Sequence, residues 1–289
     1  MTTDAPATRR RLMASPLRYP GGKGALYSRL RKVIRENGLA GCTYVEPFAG
    51  GAGAGLNLLV TGQVSKVVIN DLDPAIHAFW ASLVTDPEAM IARIKRVALN
   101  VKEWRRQKEI YASDDADVEA RGFATFYLNR TNRSGVLNGG PIGGLDQTGN
   151  YLIDARFNRE ALAERVRTLG LFRNKITVTS LDGRTVARNY ALRANTFVYV
   201  DPPYFEKAGS LYMNYFRADD HAALAEDLNA KARGHWLLTY DAVPQVEDLY
   251  ADRRIRRFGL NYSAHRVTRA TEVAVLSDAL VDIGQGWPL

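Results

Sequence analysis

Residues 43–73 read TYVEPFAGGAGAGLNLLVTGQVSKVVINDLD, and the fold is decided there. Thr43-Tyr44-Val45-Glu46 is a short run of strand formers stopped by Pro47. A glycine-rich turn, Phe48–Gly55, follows it, and Leu56, Leu58 and Leu59 then open a helical pattern. Lys66-Val67-Val68-Ile69-Asn70 is a second apolar run, ending in Asp71-Leu72-Asp73. Strand, glycine turn, helix and strand in that order make the βαβ unit of a parallel sheet. Glycines at such a turn let the backbone reverse sharply and let a ligand come closer than a Cβ permits. Asp71 stands 21 residues after Gly50, where a carboxylate can accept hydrogen bonds from ribose hydroxyls. A nucleotide-like cofactor follows from these features together. A dinucleotide would place its pyrophosphate at the helix N-terminus. S-adenosylmethionine instead brings an ammonium and a sulfonium. Glu46 puts negative charge beside the loop, which repels the first and suits the second.

Working outward, residues 1–16 (MTTDAPATRRRLMASP) are polar and aperiodic, and are expected to be a flexible N-terminal tail. LRYPGGK at 17–23 is a turn, and a helical pattern runs from Ala25 to Asn37 with Gly38 as its stop. Beyond Pro74, helical patterns at Ala75–Thr85, Pro87–Tyr111 and Ala116–Asn129 lead into NRTNRSGVLNGGPIGGLDQTGNY at 129–151. That segment is too rich in Gly and Asn to be core. Strands return at Ile176–Thr179, Phe197–Val200 and His235–Tyr240, with a helix at Asp219–Arg233. Strand-like pieces near Ile255–Leu260 and Glu272–Ser277 close the chain. The expected architecture is an α/β domain made of residues 17–74 and 175–289, with a mostly helical insertion over 75–174.

The chain has 289 residues, with 39 Lys+Arg against 31 Asp+Glu, a formal charge of +8 that favours a polyanionic partner such as nucleic acid. Hydrophobic residues at 46% and charged residues at 24% exclude a mostly disordered or fibrous chain. No apolar run nears the roughly 18 residues that cross a bilayer. The N-terminal arginines precede no apolar segment, so a secretory signal is not expected. A single cysteine, Cys42, excludes an internal disulfide and a multi-cysteine metal site. His77, His221, His235 and His265 show no ligand spacing, and no metal is expected.

Asp201-Pro202-Pro203-Tyr204 follows the buried-looking run Phe197–Val200 directly. The two prolines stiffen the segment and remove backbone donors, leaving carbonyls that face outward. The exocyclic nitrogen of adenine is a weak nucleophile because its lone pair is delocalised into the ring. The Asp201 carboxylate and the Pro202 carbonyl offer two acceptors for its protons, freeing that lone pair for a methyl group on sulfur. Tyr204 offers a flat face for the base. A base inside a duplex cannot reach such a pocket and must be flipped out, at a cost of a few kcal/mol.

With these residues in place the chain resembles the Dam-type (class alpha) family of N6-adenine-specific DNA methyltransferases. The matching pieces are RYPGGK at 18–23, YVEPFAGGAGAGLNLL at 44–59, NDLDP at 70–74, FYLNRTNRSG at 126–135, VDPPY at 200–204, LLTYDAVPQV at 237–246 and LNYS at 260–263. The resemblance implies a Rossmann-like S-adenosylmethionine-dependent methyltransferase fold. It implies cofactor contacts from Tyr19, Lys23, Glu46, Phe48, Gly50, Asp71 and Asp201, and from Asp182 near the cofactor's adenine. Leu181 and Gly183 flank Asp182 where the family often has an aromatic neighbour. Asp201, Pro202, Pro203 and Tyr204 match the catalytic tetrapeptide. It further implies duplex DNA as partner, a monomer in the cytoplasm and, within a restriction–modification system, a cognate restriction endonuclease.

On this reading residues 75–174 recognise the target. Asn129, Arg130, Asn132, Arg133 and Asn138 carry the side chains best able to make bidentate contacts with purine edges. Arg105 and Arg106, in a basic helical run, suit phosphates, although a solvated helix face explains such a run equally. Arg130 suits either a DNA contact or an anchor for its own loop. Three other readings fit less. A nicotinamide dehydrogenase leaves Asp201–Tyr204 and Glu46 unexplained. An amino-group methyltransferase acting on RNA, on cytosine N4 or on protein shares the chemistry, but members acting on glutamine use Asn at the position of Asp201. A non-catalytic DNA-binding protein needs no cofactor constellation.

Overall fold

The computed structural model describes residues 14–18, 26–205, 216–263 and 267–281. Its sheet holds β1 (Thr43–Glu46), β2 (Lys66–Asn70), β3 (Ile176–Thr179), β4 (Thr196–Val200), β5 (His235–Asp241), β6 (Arg254–Ser263) and β7 (Val267–Leu276). Their order is β3-β2-β1-β4-β5-β7-β6. The first five strands pair in parallel, whereas β7 runs antiparallel to β5 and β6 antiparallel to β7. Val45 sits opposite Val68 on one side and Val198 on the other. The strand order reverses between β1 and β4, the place where open α/β sheets bind ligands beyond their strand ends.

Alternation along each central strand sends residues into two cores. Tyr44, Val67, Ile69, Phe197 and Tyr199 join the first, while Val45, Val68, Val198, Val200 and Leu238 join the second. Burial on both faces explains why these strands read as unbroken apolar runs. The first face is covered by α1 (Tyr27–Glu36), which buries Leu30, Val33 and Ile34 at helical spacing, and by α2 (Gly53–Val60).

Between β2 and β3 come α3 (Pro74–Thr85), α4 (Pro87–Arg96), α5 (Val101–Ala112), α6 (Val118–Thr131) and α7 (Arg159–Gly170). The second face takes α8 (Gly183–Ala191) and α9 (Ala218–Glu226); α10 (Pro244–Leu249) follows β5. The inserted helices share the first core: Phe79 and Trp80 of α3 and Phe126 of α6 lie in one cluster with Tyr44 and Ile69. Phe79 and Phe126 stack at 5.9 Å between ring centroids. A Cβ on Gly122 of α6 would stand 2.5 Å from the Ala78 carbonyl oxygen, so only glycine lets these helices cross so closely.

Several expectations change in the structure. The helix expected over 87–111 is two, because Asn100 turns out of α4 and caps α5 by accepting from the Glu103 amide at 2.9 Å. The Arg159 guanidinium donates to the Ile94 and Val97 carbonyls and closes the end of α4. The sequence reading missed α7, whose cap is Asn158, accepting from the Ala161 amide. The helix expected over 219–233 ends at Glu226 and continues as a π turn over Asp227–Lys231. Residues 14–16, expected in a flexible tail, are buried: the Ala14 amide donates to Asn57 Oδ1, and Arg165 donates to the Ser15 carbonyl. Residues 1–13 lie outside the described residues.

Candidate active site

Five acids stand at or just past the carboxyl ends of the five parallel strands: Glu46, Asp71, Asp182, Asp201 and Asp241. Asn70, fully buried, ties three of these strand ends together. Its Nδ2 donates to the Pro47 and Leu181 carbonyls at 2.8 and 2.9 Å, and its Oδ1 accepts from the Thr179 hydroxyl and the Leu181 amide. The glycine loop is therefore set by hydrogen bonds before any ligand arrives.

Glu46 ends β1, is 4% exposed, and turns its side chain to the first turn of α2. Its Oε1 accepts from the Tyr44 hydroxyl at 3.0 Å and the Gly55 amide at 3.1 Å. Burial pushes its carboxyl up to about 7; those two donors oppose the rise and the charge of Asp201 adds to it. A Cβ on Gly55 would meet the Tyr44 ring at 2.7 Å, so glycine is required for this approach. Asp71 Oδ2 accepts from the Gly50 amide at 2.8 Å and Oδ1 from the Asp73 amide at 3.0 Å. Burial raises the Asp71 carboxyl to about 6, against those two amides. Gly50 has φ +46, a left-handed turn, and its carbonyl accepts from Trp80 Nε1 at 2.8 Å.

Phe48 packs so tightly on Gly183 that a Cβ there would stand 2.5 Å from the ring. Asp182, beside it, is exposed and caps α8 through the Thr185 amide at 2.8 Å. Phe48 thus spans the loops after β1 and β3, next to the residue expected at the cofactor's adenine. Tyr19 and Lys23 lie outside the described residues.

The tetrapeptide leaves β4 with Asp201 half-buried and Pro202 buried. Thr239 of β5 donates to Asp201 Oδ1 at 3.0 Å, and its oxygen lies 2.7 Å from the Tyr199 hydroxyl. With Thr239 donating forward, Tyr199 must donate to Thr239, so a buried relay fixes one carboxylate oxygen. The Phe205 amide donates to Asp241 Oδ1 at 3.1 Å, and the Tyr204 hydroxyl donates to Glu272 Oε1 at 2.5 Å. Asn70, Tyr199, Thr239, Asp241 and Glu272 are site residues the sequence reading missed. Asn70, Thr239 and Asp241 left a signal, lying in the matching pieces NDLDP and LLTYDAVPQV, whereas Tyr199 and Glu272 left none.

The structure places two of the expected DNA contacts in the interior of the inserted segment. Asn129 is 1% exposed: its Nδ2 donates to the Arg18 and Gly135 carbonyls, and its Oδ1 accepts from the Arg18 amide. Asn132 is fully buried, accepting from Trp104 Nε1 at 2.6 Å and donating to the Val136 and Leu137 carbonyls. Both amides are used in shaping the loop and cannot reach a base edge. Arg133, Asn138, Arg105 and Arg106 are exposed, with Arg106 beside Glu103. Arg130 is 8% exposed, and its Nε has no hydrogen-bond partner among the described residues. Burial pushes its guanidinium down to about 9, with Arg165, Arg18 and Arg156 adding repulsion. Four arginines from three helices and loops of the insertion and from the N-terminal segment thus share one place. Among the described residues, no helix is long and apolar enough to cross a membrane, and no group of three or more His, Cys, Asp or Glu could hold a metal ion.

A sequence model of the D12 class of N6 adenine-specific DNA methyltransferases matches residues 19–269, most of the chain. The chain belongs to that class. The reaction of this D12 methyltransferase is accordingly methylation of adenine N6 in DNA. Its relatives include the DNA adenine methylase of Vibrio cholerae serotype O1, 28% identical over 233 residues covering 75% of this chain and 77% of the relative. The Type II methyltransferase M.MjaIII of Methanocaldococcus jannaschii is 26% identical, over 73% of this chain and 77% of its own. The modification methylase StsI of Streptococcus sanguinis is 25% identical, over 70% of this chain and 30% of its own.

Proposed function

We propose that this D12 methyltransferase takes its methyl group from S-adenosylmethionine and delivers it to an adenine flipped out of duplex DNA. The observation that carries the reading is the Asp201 carboxylate, one oxygen held by the Tyr199–Thr239 relay, at the strand ends that also gather Glu46 and Asp71. The pocket fits the cofactor in three ways. Gly50 turns the loop through a left-handed φ of +46 with its amide held on Asp71, Asp71 retains lone pairs for ribose hydroxyls, and Glu46 faces the loop with a buried carboxylate. Tyr19 and Lys23 are proposed to complete it, with exposed Leu72 and Leu181 offering apolar surface on neighbouring loops.

When bound, S-adenosylmethionine supplies an electrophilic methyl group on a sulfonium. The chain's own residues prepare the nucleophile. The Asp201 oxygen not taken by Thr239 and the Pro202 carbonyl accept the two amino protons, drawing the nitrogen toward tetrahedral geometry. Tyr204 carries the base on its ring. As the N–C bond forms, the S–C bond to the methyl group would break, S-adenosylhomocysteine being the leaving group, and the protonated product nitrogen would then release one proton to the Asp201 carboxylate or to water.

Duplex DNA is taken up, in this reading, by residues 75–174 together with Arg18 of the N-terminal segment. Arg18, Arg130, Arg156 and Arg165, mutually repelling, suit the diester phosphates that would relieve that repulsion. Exposed Arg133 and Asn138 are left to read bases. The enzyme is proposed to act as a cytoplasmic monomer, and a cognate restriction endonuclease would accompany it in a restriction–modification system. The test is Asp201→Ala, purified and folded, on duplex DNA. Its turnover is expected to fall by far more than tenfold; a variant keeping over about a tenth of wild-type turnover, under 1.4 kcal/mol, contradicts the role.

A further inference from the structure

Strand β7 lies between β5 and β6, and its register sets Glu272 opposite Asp241 on one side and Phe258 on the other. Glu272 is 1% exposed, in a sheet whose neighbouring faces are apolar. A buried carboxylate is costly unless hydrogen-bonded and balanced by a cation. The balance comes from Arg29 of α1, whose guanidinium lies 5.0 Å from the centre of the Phe258 ring and feels the charge of Glu272. The hydrogen bond is the 2.5 Å contact from the Tyr204 hydroxyl. Burial, then the charges of Asp201 and Glu272, push the Tyr204 phenol up, so it stays a donor across physiological pH.

Tyr204 begins the segment that leaves the catalytic tetrapeptide, and its ring packs against the second core without being fully enclosed. A half-buried tyrosine retains rotation about its side-chain bonds, and a base can stack only once the ring plane is set. A charge-assisted bond at the hydroxyl fixes where the far end of the side chain lies, and because a phenol O–H prefers to lie in the plane of its ring, the direction of Glu272 also sets that plane. We propose that Glu272 is a positioning residue, tethering the Tyr204 hydroxyl so that the ring is a preset platform for the flipped adenine. This rests on the stacking role given to Tyr204 above.

The experiment compares wild type, Glu272→Gln, Tyr204→Phe, the double variant and Tyr204→Ala on a duplex that this enzyme methylates. Single-turnover methyl transfer is read on that duplex, and base flipping on a matched duplex in which 2-aminopurine, which lacks the N6 amino group, replaces the target adenine. S-adenosylmethionine affinity and thermal midpoint report on the cofactor pocket and the fold. Tyr204→Phe, which removes the bond, should slow transfer by about tenfold to a hundredfold, the range for losing a hydrogen bond to a charged group, and Glu272→Gln, which leaves a neutral acceptor, should slow it measurably but less. In both variants the flipped 2-aminopurine should stay brighter than in wild type, because a ring that is not preset stacks on it and quenches it less, while cofactor affinity is kept. The double variant should be no slower than Tyr204→Phe, because once the hydroxyl is gone the side chain at 272 has no bond left to lose. Multiplying losses in the double variant overturn the proposal. So does a Tyr204→Phe enzyme as fast as wild type, which decides the matter even if Glu272→Gln does not fold. A Tyr204→Ala enzyme with unchanged transfer would instead overturn the stacking role itself.

Discussion

Glu46 makes affinity for a cationic methyl donor depend on pH in a way that can be worked out. Its carboxyl sits at about 7 in the free protein because of burial. An ammonium and a sulfonium brought close favour the ionised form, so binding lowers that pKa and expels a proton wherever the free protein still holds one. With a free value of about 7, the ionised fraction rises from roughly 0.09 at pH 6 to roughly 0.9 at pH 8. The apparent dissociation constant for S-adenosylmethionine therefore falls about tenfold over that interval, about 1.4 kcal/mol. The assay is titration calorimetry at both pH values in two buffers of different ionisation enthalpy, with Glu46→Gln alongside. The variant cancels the titration of the ligand's own ammonium and of Asp71, whose carboxyl at about 6 contributes about a further twofold. The difference between wild type and variant at pH 6 should be about 0.9 proton released per cofactor bound. Equal proton release and parallel pH profiles in the two proteins would refute the placing of Glu46 against the cofactor's positive charge. The same raised pKa has a stability consequence. The free protein loses stability as pH rises from about 4.5 through 7, so Glu46→Gln should raise its thermal midpoint more at pH 8 than at pH 6.

Other outcomes follow from the same geometry. Asp71→Ala removes an acceptor for ribose hydroxyls and the anchor of the Gly50 amide, and should weaken cofactor binding by about 1.5–3 kcal/mol in calorimetry. Arg130→Gln should weaken cognate and scrambled duplexes alike and flatten the log–log salt dependence by about 0.9 per lost phosphate contact. Because it also relieves repulsion from Arg165, Arg18 and Arg156, it should leave the thermal midpoint of the free protein undiminished; a drop would mark Arg130 as a loop anchor instead. Arg133→Ala or Asn138→Ala should cost roughly 1–3 kcal/mol on the cognate site and little elsewhere, measured by competition binding; equal losses on both duplexes place base reading outside this loop.

The half of the site that is continuous in sequence was legible, and the half assembled by pairing was not. Thr43–Asp73 spells out strand, turn, helix and strand in order, and Asp201–Tyr204 follows its strand directly, so local pattern was enough. Thr239 and Glu272 reach Asp201 and Tyr204 from 38 and 68 residues away, through the registers of β5 and β7, which no local pattern announces. Asn129 and Asn132 show why local sequence did not reveal burial in the insertion. The amide that can read an adenine edge can equally lock loop carbonyls, and burial under Arg18 and against Trp104 decides between the two. The break between α4 and α5 was hidden because Val97 and Leu99 keep the apolar pattern going while Asn100 caps the next helix.

The most direct test of the account is to identify the methylated atom. The purified enzyme would be incubated with S-adenosylmethionine carrying an isotopically labelled methyl group, together with duplex DNA, RNA and protein substrates. Each product would then be digested and its components separated by mass spectrometry. The account predicts label in N6-methyladenine from duplex DNA, absent when Asp201→Ala replaces the wild type. Label in N4-methylcytosine, in RNA or in protein, or undiminished N6-methyladenine from the Asp201→Ala enzyme, would contradict it.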